Sequence, residues 1–191
     1  PHSYAPHRFS IFSPAVFASR FHRTDVSKAL RKSSPLKNLS KMVQLFDNIN
    51  EDVYKAYVFW STVLVVKMLL MSILTGMQRF RKKAFVNPED IATMPKLKLK
   101  TDDPDVERVR RAHQNDLENI LPYFVLAFFY ILTNPVPAIA VNIFRAVAGA
   151  RIMHTLVYAV VVIPQPARAI AWAIPYAASF YMAFQTLVHF L

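Results

Sequence analysis

The sequence predicts an all-α fold, an integral membrane four-helix bundle. Three observations lead to this prediction: a high apolar content, four long apolar segments, and a fourth segment that is apolar on every side. Hydrophobic residues make up 54% of the 191 residues and charged residues only 18%. A helix without a polar face is either enclosed by protein or exposed to lipid. We therefore predict four transmembrane helices, because a soluble bundle needs polar stripes that the first and last segments lack.

Each of the four apolar segments is predicted to form one long helix. The first is long enough to cross a bilayer core, which needs about 20 residues, although Lys67 interrupts it. The second is short, but Asp103-Pro104 is a typical helix start, so the helix should begin there and continue through the segment. The four segments are residues 56–78, 117–133, 137–162 and 169–191.

The basic charge is concentrated at the N-terminus. The chain has 23 Lys and Arg against 12 acids, a net charge of +11, and residues 1–41 contribute +7 of it. This extension is rich in Ser and Arg and poor in acids, which is typical of an organelle presequence; the alternative is untranslated sequence upstream of an initiator Met42. We expect residues 1–41 to be disordered and residues 42–191 to form the folded domain.

The long connection 79–111 indicates how the chain crosses the membrane. It contains ten Lys or Arg residues, and the positive-inside rule places it in the cytosol. Connection 133–137 then lies on the non-cytosolic side and connection 163–167 lies in the cytosol. If Met42 starts the chain, both termini lie on the non-cytosolic side. We expect a multi-pass membrane protein in contact with the lipid bilayer, and no nucleic-acid partner, since nucleic-acid binders seldom carry such apolar runs.

A polar stripe, formed by Arg108, Arg111, Asn115 and Glu118, runs along the second predicted helix. His113 and Asp116 point away from this stripe. Two cations, an amide and a carboxylate could bind the carboxylates and the ammonium of a ligand, or they could form salt bridges between helix ends. The four residues of the stripe are spaced three, four and three positions apart. At about 100° per residue, the stripe is about 80° wide.

The third helix carries a matching face. Arg151, His154 and Tyr158 are spaced three and four residues apart and share a side. Arg168 lies at the start of the fourth helix, where it is either a site residue or an orientation anchor. The cations suit an anionic ligand. No His and carboxylate group has convincing metal spacing, so we expect no metal, and the absence of Cys excludes a thiolate of the protein.

Four motifs carry a family resemblance. From Met42 to its end the chain resembles the membrane-associated eicosanoid and glutathione metabolism (MAPEG) family, which makes residues 42–191 a MAPEG four-helix transmembrane domain. Residues 1–41 resemble nothing in the family. The motifs are RFRKKAFVNPED at 79–90, DPDVERVRRAHQNDLENILPYF at 103–124, GARIMHTLVYAV at 149–160 and PQPARA at 164–169.

The resemblance implies an enzyme. It implies a homotrimer of four-helix subunits, with glutathione as the co-substrate bound between subunits near the cytosolic face. The expected function is a glutathione transferase that conjugates the thiolate to hydrophobic electrophiles and reduces lipid hydroperoxides, in detoxification. The expected location is the endoplasmic reticulum membrane, with the mitochondrial outer membrane as a second address.

Roles for individual residues follow from the same resemblance. Arg168 matches the catalytic arginine that stabilises the glutathione thiolate. Asp90 matches an acid that shapes the site, and Arg108 and Arg151 match charged positions with more structural, supporting roles. The residues that match glutathione-binding positions are Arg79, Arg111, Asn115, Glu118, His154 and Tyr158.

Three positions depart from the prostaglandin E synthase branch of the family. That branch has Ser where this chain has Ala169, Arg where it has Gln114, and Tyr where it has Trp172. These differences favour the transferase branch, and a glutathione-dependent isomerase of the prostaglandin E synthase type is the alternative. A third hypothesis is a non-enzymatic membrane protein whose basic cluster 79–83 binds anionic lipid.

Overall fold

The computed structural model describes residues 48–94, 97 and 99–191, and within them all regular structure is helical. A π-helical turn, Leu156–Val160, directly follows the helix Pro137–Thr155, and the only β feature described is an isolated bridge between Phe85 and Leu99. The all-α prediction is confirmed for this part of the chain, whereas the predictions for residues 1–41 lie outside it. The helices are α1 (Glu51–Lys82), α2 (Pro88–Ile91), α3 (Pro104–Ile131), α4 (Pro137–Thr155) and α5 (Ala167–Phe190).

Local signals set the helix ends. The Asn50 side chain accepts hydrogen bonds at 3.0 and 3.2 Å from two backbone amides in the first turn of α1. Lys83 ends that helix in the left-handed conformation, with φ of 52°, and its N–H donates to the carbonyl of Phe80. Asp103 caps α3 and Pro104 is its first residue, as predicted. Helix α3, the second of the four predicted long helices, therefore contains both the polar stripe and the second apolar segment.

The four long helices of the described chain share an apolar core. Helix α1 lies against α3 and α4, and α5 lies against the same two helices. Buried side chains from all four helices meet there, including Leu64, Tyr123, Phe144 and Met182. The packing places the N-terminal half of α3 beside the end of α4 and the start of α5.

Among the described residues, two segments are long and apolar enough to cross a membrane, α1 and the continuous helical stretch Pro137–Val160. Only a small part of the apolar surface of α1 is buried within the chain, since Leu69, Leu70 and Ile73 each expose more than half of their surface. Such a surface suits contact with lipid or with another apolar surface. The number of four spans stays a prediction.

We predict that Asp103 makes the stability of the fold depend on acid pH. Lys100 Nζ donates to its carboxylate at 2.8 Å and two backbone amides of α3 donate at 3.1 and 3.2 Å, and these bonds lower the pKa of Asp103 from its ordinary value of 3.8. A carboxylate with a lowered folded pKa stabilises the fold above the unfolded pKa, and this contribution is lost as the pH falls through the folded pKa. Unfolding temperatures in detergent should therefore fall with acidification below about pH 4, and fall less in Asp103→Asn.

The matched control is Asp102→Asn, which removes the same charge from an exposed neighbour and should keep the acid dependence of the wild type. An Asp103→Asn variant with the same dependence on pH as the wild type would contradict the assignment.

Candidate functional site

A cavity of about 390 Å³ opens where α3, the end of α4 and the start of α5 meet. Its lining comes from three elements that are distant in sequence. The structure thereby brings together six residues that the resemblance assigned to glutathione: Arg111, Asn115, Glu118, His154, Tyr158 and Arg168.

The α3 side of the cavity confirms the predicted stripe in part. Arg111, Asn115 and Glu118, spaced four and three residues apart, line one cavity from one helix face. The Glu118 carboxylate accepts a hydrogen bond at 3.1 Å from the side-chain amide of Gln114, which also lines the cavity. This wall offers a guanidinium, two amides and a carboxylate.

The opposite wall is built by the π-helical turn and the start of α5. Within the turn, the N–H of Val161 donates to the carbonyl of Leu156 at 2.7 Å, which gives the wider turn that often marks functional sites. The Tyr158 ring lies 5.5 Å from the His154 ring, and Arg168 Cζ lies 4.5 Å from the centre of the same Tyr158 ring. The aromatic face thus holds the guanidinium by a cation–π contact.

The cation–π contact leaves the chemistry of Arg168 available. A guanidinium has five N–H donors, and attraction of its charge to an aromatic face does not pair them with acceptors. Two arginines, Arg111 and Arg168, and one carboxylate, Glu118, line the cavity. The excess of positive charge suits a ligand with several anionic groups and one cationic group.

Behind this cavity lies a buried ionic cluster that sequence reasoning missed. It consists of Lys67 on α1, Asp116 on α3 and Arg151 on α4, which are 8%, 0% and 0% exposed. One carboxylate oxygen of Asp116 accepts from Lys67 Nζ, and the other accepts from Arg151 Nη2. The same Nη2 donates at 3.0 Å to Oδ1 of Asn115, which lines the cavity.

A sequence signal for the cluster existed. Lys67 and Arg151 are charges within apolar segments, and charges in such positions usually pair inside a bundle. Asp116 was set apart because it points away from the stripe, and Lys67 was treated as an interruption of the first segment. Arg151 and His154 share a side as predicted, but Arg151 is fully buried while His154 reaches the cavity.

Three predicted site residues lie elsewhere in the single chain. Arg79 lines a second cavity, of about 540 Å³, between the end of α1 and α3, and Arg111 lines both cavities. Arg108 pairs with Asp105 at 3.3 Å. Asp90, exposed on α2, accepts a hydrogen bond from the nearby Asn87 side chain. Helix α3 therefore separates Arg79 from the cavity that holds Arg168.

No metal-binding group emerges from the side chains that the structure describes. Among residues 48–94, 97 and 99–191, no three or more His, Asp or Glu side chains come together in a way that could hold an ion.

Comparison with known proteins identifies the family. Residues 57–188 match the MAPEG family. The chain is 41% identical over 151 residues to microsomal glutathione S-transferase 1 of Homo sapiens, covering 76% of this chain and 96% of that protein. It is 42% identical over 138 residues to prostaglandin E synthase of Rattus norvegicus, covering 72% and 90%. Microsomal glutathione S-transferase 1 of Rattus norvegicus is 39% identical over 153 residues, covering 78% and 96%. The motifs in the loop and helices of this chain predicted these matches, and the chain belongs to the MAPEG family.

Proposed function

We propose that the protein is a membrane-bound glutathione transferase that conjugates the glutathione thiolate to hydrophobic electrophiles and also reduces lipid hydroperoxides. The observation that carries the proposal is the cavity in which Arg168 lies beside Arg111, Asn115 and Glu118. Glutathione has two carboxylates, one ammonium and a thiol with a pKa of about 8.5. Two guanidinium groups and one carboxylate complement these charges.

The proposed reaction depends on the thiolate. A cation near sulfur favours the ionised form, so Arg168 raises the fraction of nucleophile at neutral pH. In conjugation, the sulfur forms a bond to an electrophilic carbon and the leaving group departs with its electron pair. In peroxide reduction, the thiolate sulfur attacks the terminal oxygen, the O–O bond breaks, and the departing alkoxide takes a proton from water to become the alcohol. A second glutathione then converts the resulting sulfenic acid to a disulfide and water.

The proposal includes a membrane setting and a homotrimer. The exposed apolar surface of α1 supports contact with lipid, from which the hydrophobic substrate would enter. Arg79 lines the cavity on the far side of α3, which supports a site completed by the Arg79 side of a neighbouring subunit. The domain is proposed to span residues 42–191, in the endoplasmic reticulum membrane or the mitochondrial outer membrane.

Three side chains favour conjugation over isomerisation. Gln114, Ala169 and Trp172, which differ from the prostaglandin E synthase branch, all line the cavity that holds Arg168. Overall identity does not discriminate, because it is 41% to the human transferase and 42% to the rat synthase. The residues around the reacting sulfur are therefore the better guide to the reaction.

Purified full-length protein in detergent separates these functions. Calorimetry measures glutathione binding, absorbance follows conjugation of 1-chloro-2,4-dinitrobenzene, and chromatography identifies products from a prostaglandin endoperoxide. We expect binding and conjugation, with little isomerised product. Isomerisation without conjugation would replace the proposal by the synthase alternative. An absence of glutathione binding would overturn both and favour the non-enzymatic hypothesis.

A further inference from the structure

The buried Arg151 joins the ionic cluster to the cavity wall. Its Nη2 donates both to Oδ1 of Asp116 and, at 3.0 Å, to Oδ1 of Asn115. Asp116 and Arg151 are both fully buried, and a charge-assisted bond between such groups fixes the guanidinium in place. The contact therefore couples a rigid interior group to a side chain that lines the cavity.

Hydrogen-bond chemistry determines which end of the Asn115 amide faces Arg151. The oxygen and nitrogen of an amide are hard to tell apart by shape alone. A guanidinium has only donors, so the Asn115 atom beside it must be the carbonyl oxygen. The amide nitrogen then lies on the side away from Arg151, where its two N–H groups are available to a ligand.

We infer that Arg151 is a positioning residue that fixes the Asn115 amide as a hydrogen-bond donor to the ligand. The cavity then selects a ligand that places a carbonyl or carboxylate oxygen at Asn115, and it discriminates against one that places a donor there. This inference rests on the proposed function, in which the ligand is glutathione. It adds the direction of one hydrogen bond and the residue that sets it.

The cluster offers a matched pair of variants. Lys67 and Arg151 carry the same charge and bind the same carboxylate, but of the two only Arg151 contacts Asn115 in the described structure. Lys67→Met and Arg151→Met each remove one cation and leave the other paired with Asp116. A general effect of charge or of packing would change both variants, whereas orientation of the amide would change only one.

Glutathione affinity, measured by calorimetry on the full chain in detergent, is the readout. We expect Arg151→Met to weaken binding about tenfold, the loss of a hydrogen bond of about 1.4 kcal/mol. We expect Lys67→Met to stay within about twofold of the wild type. Equal losses in the two variants would overturn the inference.

A double-mutant cycle tests whether Arg151 acts through Asn115. In an Asn115→Ala background, Arg151→Met should weaken glutathione binding by less than about twofold, because its target is gone. A full tenfold loss in that background would overturn the inference. Unfolding temperatures, recorded for every variant, show which of them are folded.

A variant that keeps Arg151 covers the case in which Arg151→Met does not fold. Asn115→Asp preserves shape and keeps an acceptor for Arg151, but it replaces the amide donor by a carboxylate oxygen. We expect its glutathione affinity to be at least as low as that of Asn115→Ala. Wild-type affinity in Asn115→Asp would show that no donor is needed and overturn the inference. An absence of binding to the wild-type protein would instead refute the proposed function.

Discussion

Replacing Arg168 by Ala should lower conjugation about 30-fold at pH 7. A free thiol with a pKa of about 8.5 is only about 3% ionised at that pH. If the guanidinium beside Tyr158 keeps the bound thiol ionised, its removal returns the nucleophile to that small fraction. The rate of 1-chloro-2,4-dinitrobenzene conjugation at saturating glutathione measures the effect.

The same variant should recover as the pH rises. The unassisted thiol is about 90% ionised near pH 9.5, so the deficit of Arg168→Ala should almost disappear at that pH. Arg145→Ala is the control, because Arg145 is exposed on α4 and its side chain contacts Asn142 at 3.5 Å. Arg145→Ala should keep wild-type activity. Full activity of Arg168→Ala at pH 7, or a loss that persists at pH 9.5, would refute the thiolate role.

Replacing Asp116 by Asn should lower the free energy of unfolding more than either of the acid-to-amide changes at Asp103 and Glu51. The substitution keeps the shape of the side chain but leaves Lys67 and Arg151 buried without a carboxylate. Breaking a buried ion pair by removing one partner destabilises proteins by about 3–5 kcal/mol. Unfolding of purified protein in detergent, followed by circular dichroism, measures this change.

An exposed ion pair provides the comparison. Lys55 Nζ lies 2.6 Å from Glu51 Oε1 on the first turns of α1, and both side chains are more than 60% exposed. Glu51→Gln removes the same charge as Asp116→Asn but should leave unfolding unchanged, because water solvates the remaining cation. Equal stability of wild type and Asp116→Asn would show that the buried cluster does not hold the helices together.

Periodicity predicted the part of the site that one helix supplies. The helical spacing of Arg111, Asn115 and Glu118 correctly placed them on one face of α3. Residues three and four positions apart lie on the same side of an α-helix. The Asp103-Pro104 start of α3 was equally predictable from its capping chemistry. Both features depend on local geometry, which short stretches of sequence encode.

Contacts between helices were not predictable in the same way. Asp116 was correctly placed off the stripe, but nothing in the spacing within α3 indicates that α1 and α4 supply its two cations. Arg79 was grouped with the glutathione ligands by motif, whereas within one chain α3 lies between it and Arg168. Which side of α3 each neighbouring helix takes depends on packing of the whole core.

The Lys67–Asp116 pair has a consequence for how the protein is made. The two residues are 49 positions apart, so at about 5–20 residues per second the ribosome adds Asp116 several seconds after Lys67. With α1 as a membrane span, its ammonium meanwhile lacks a carboxylate, and such a charge costs about 2.5–3.5 kcal/mol at the centre of a helix during insertion. Arrival of α3 neutralises that charge. In the proposed four-span arrangement, α1 and α3 should therefore enter the bilayer as a coupled pair during biogenesis, with α1 stably inserted only after α3 has been synthesised.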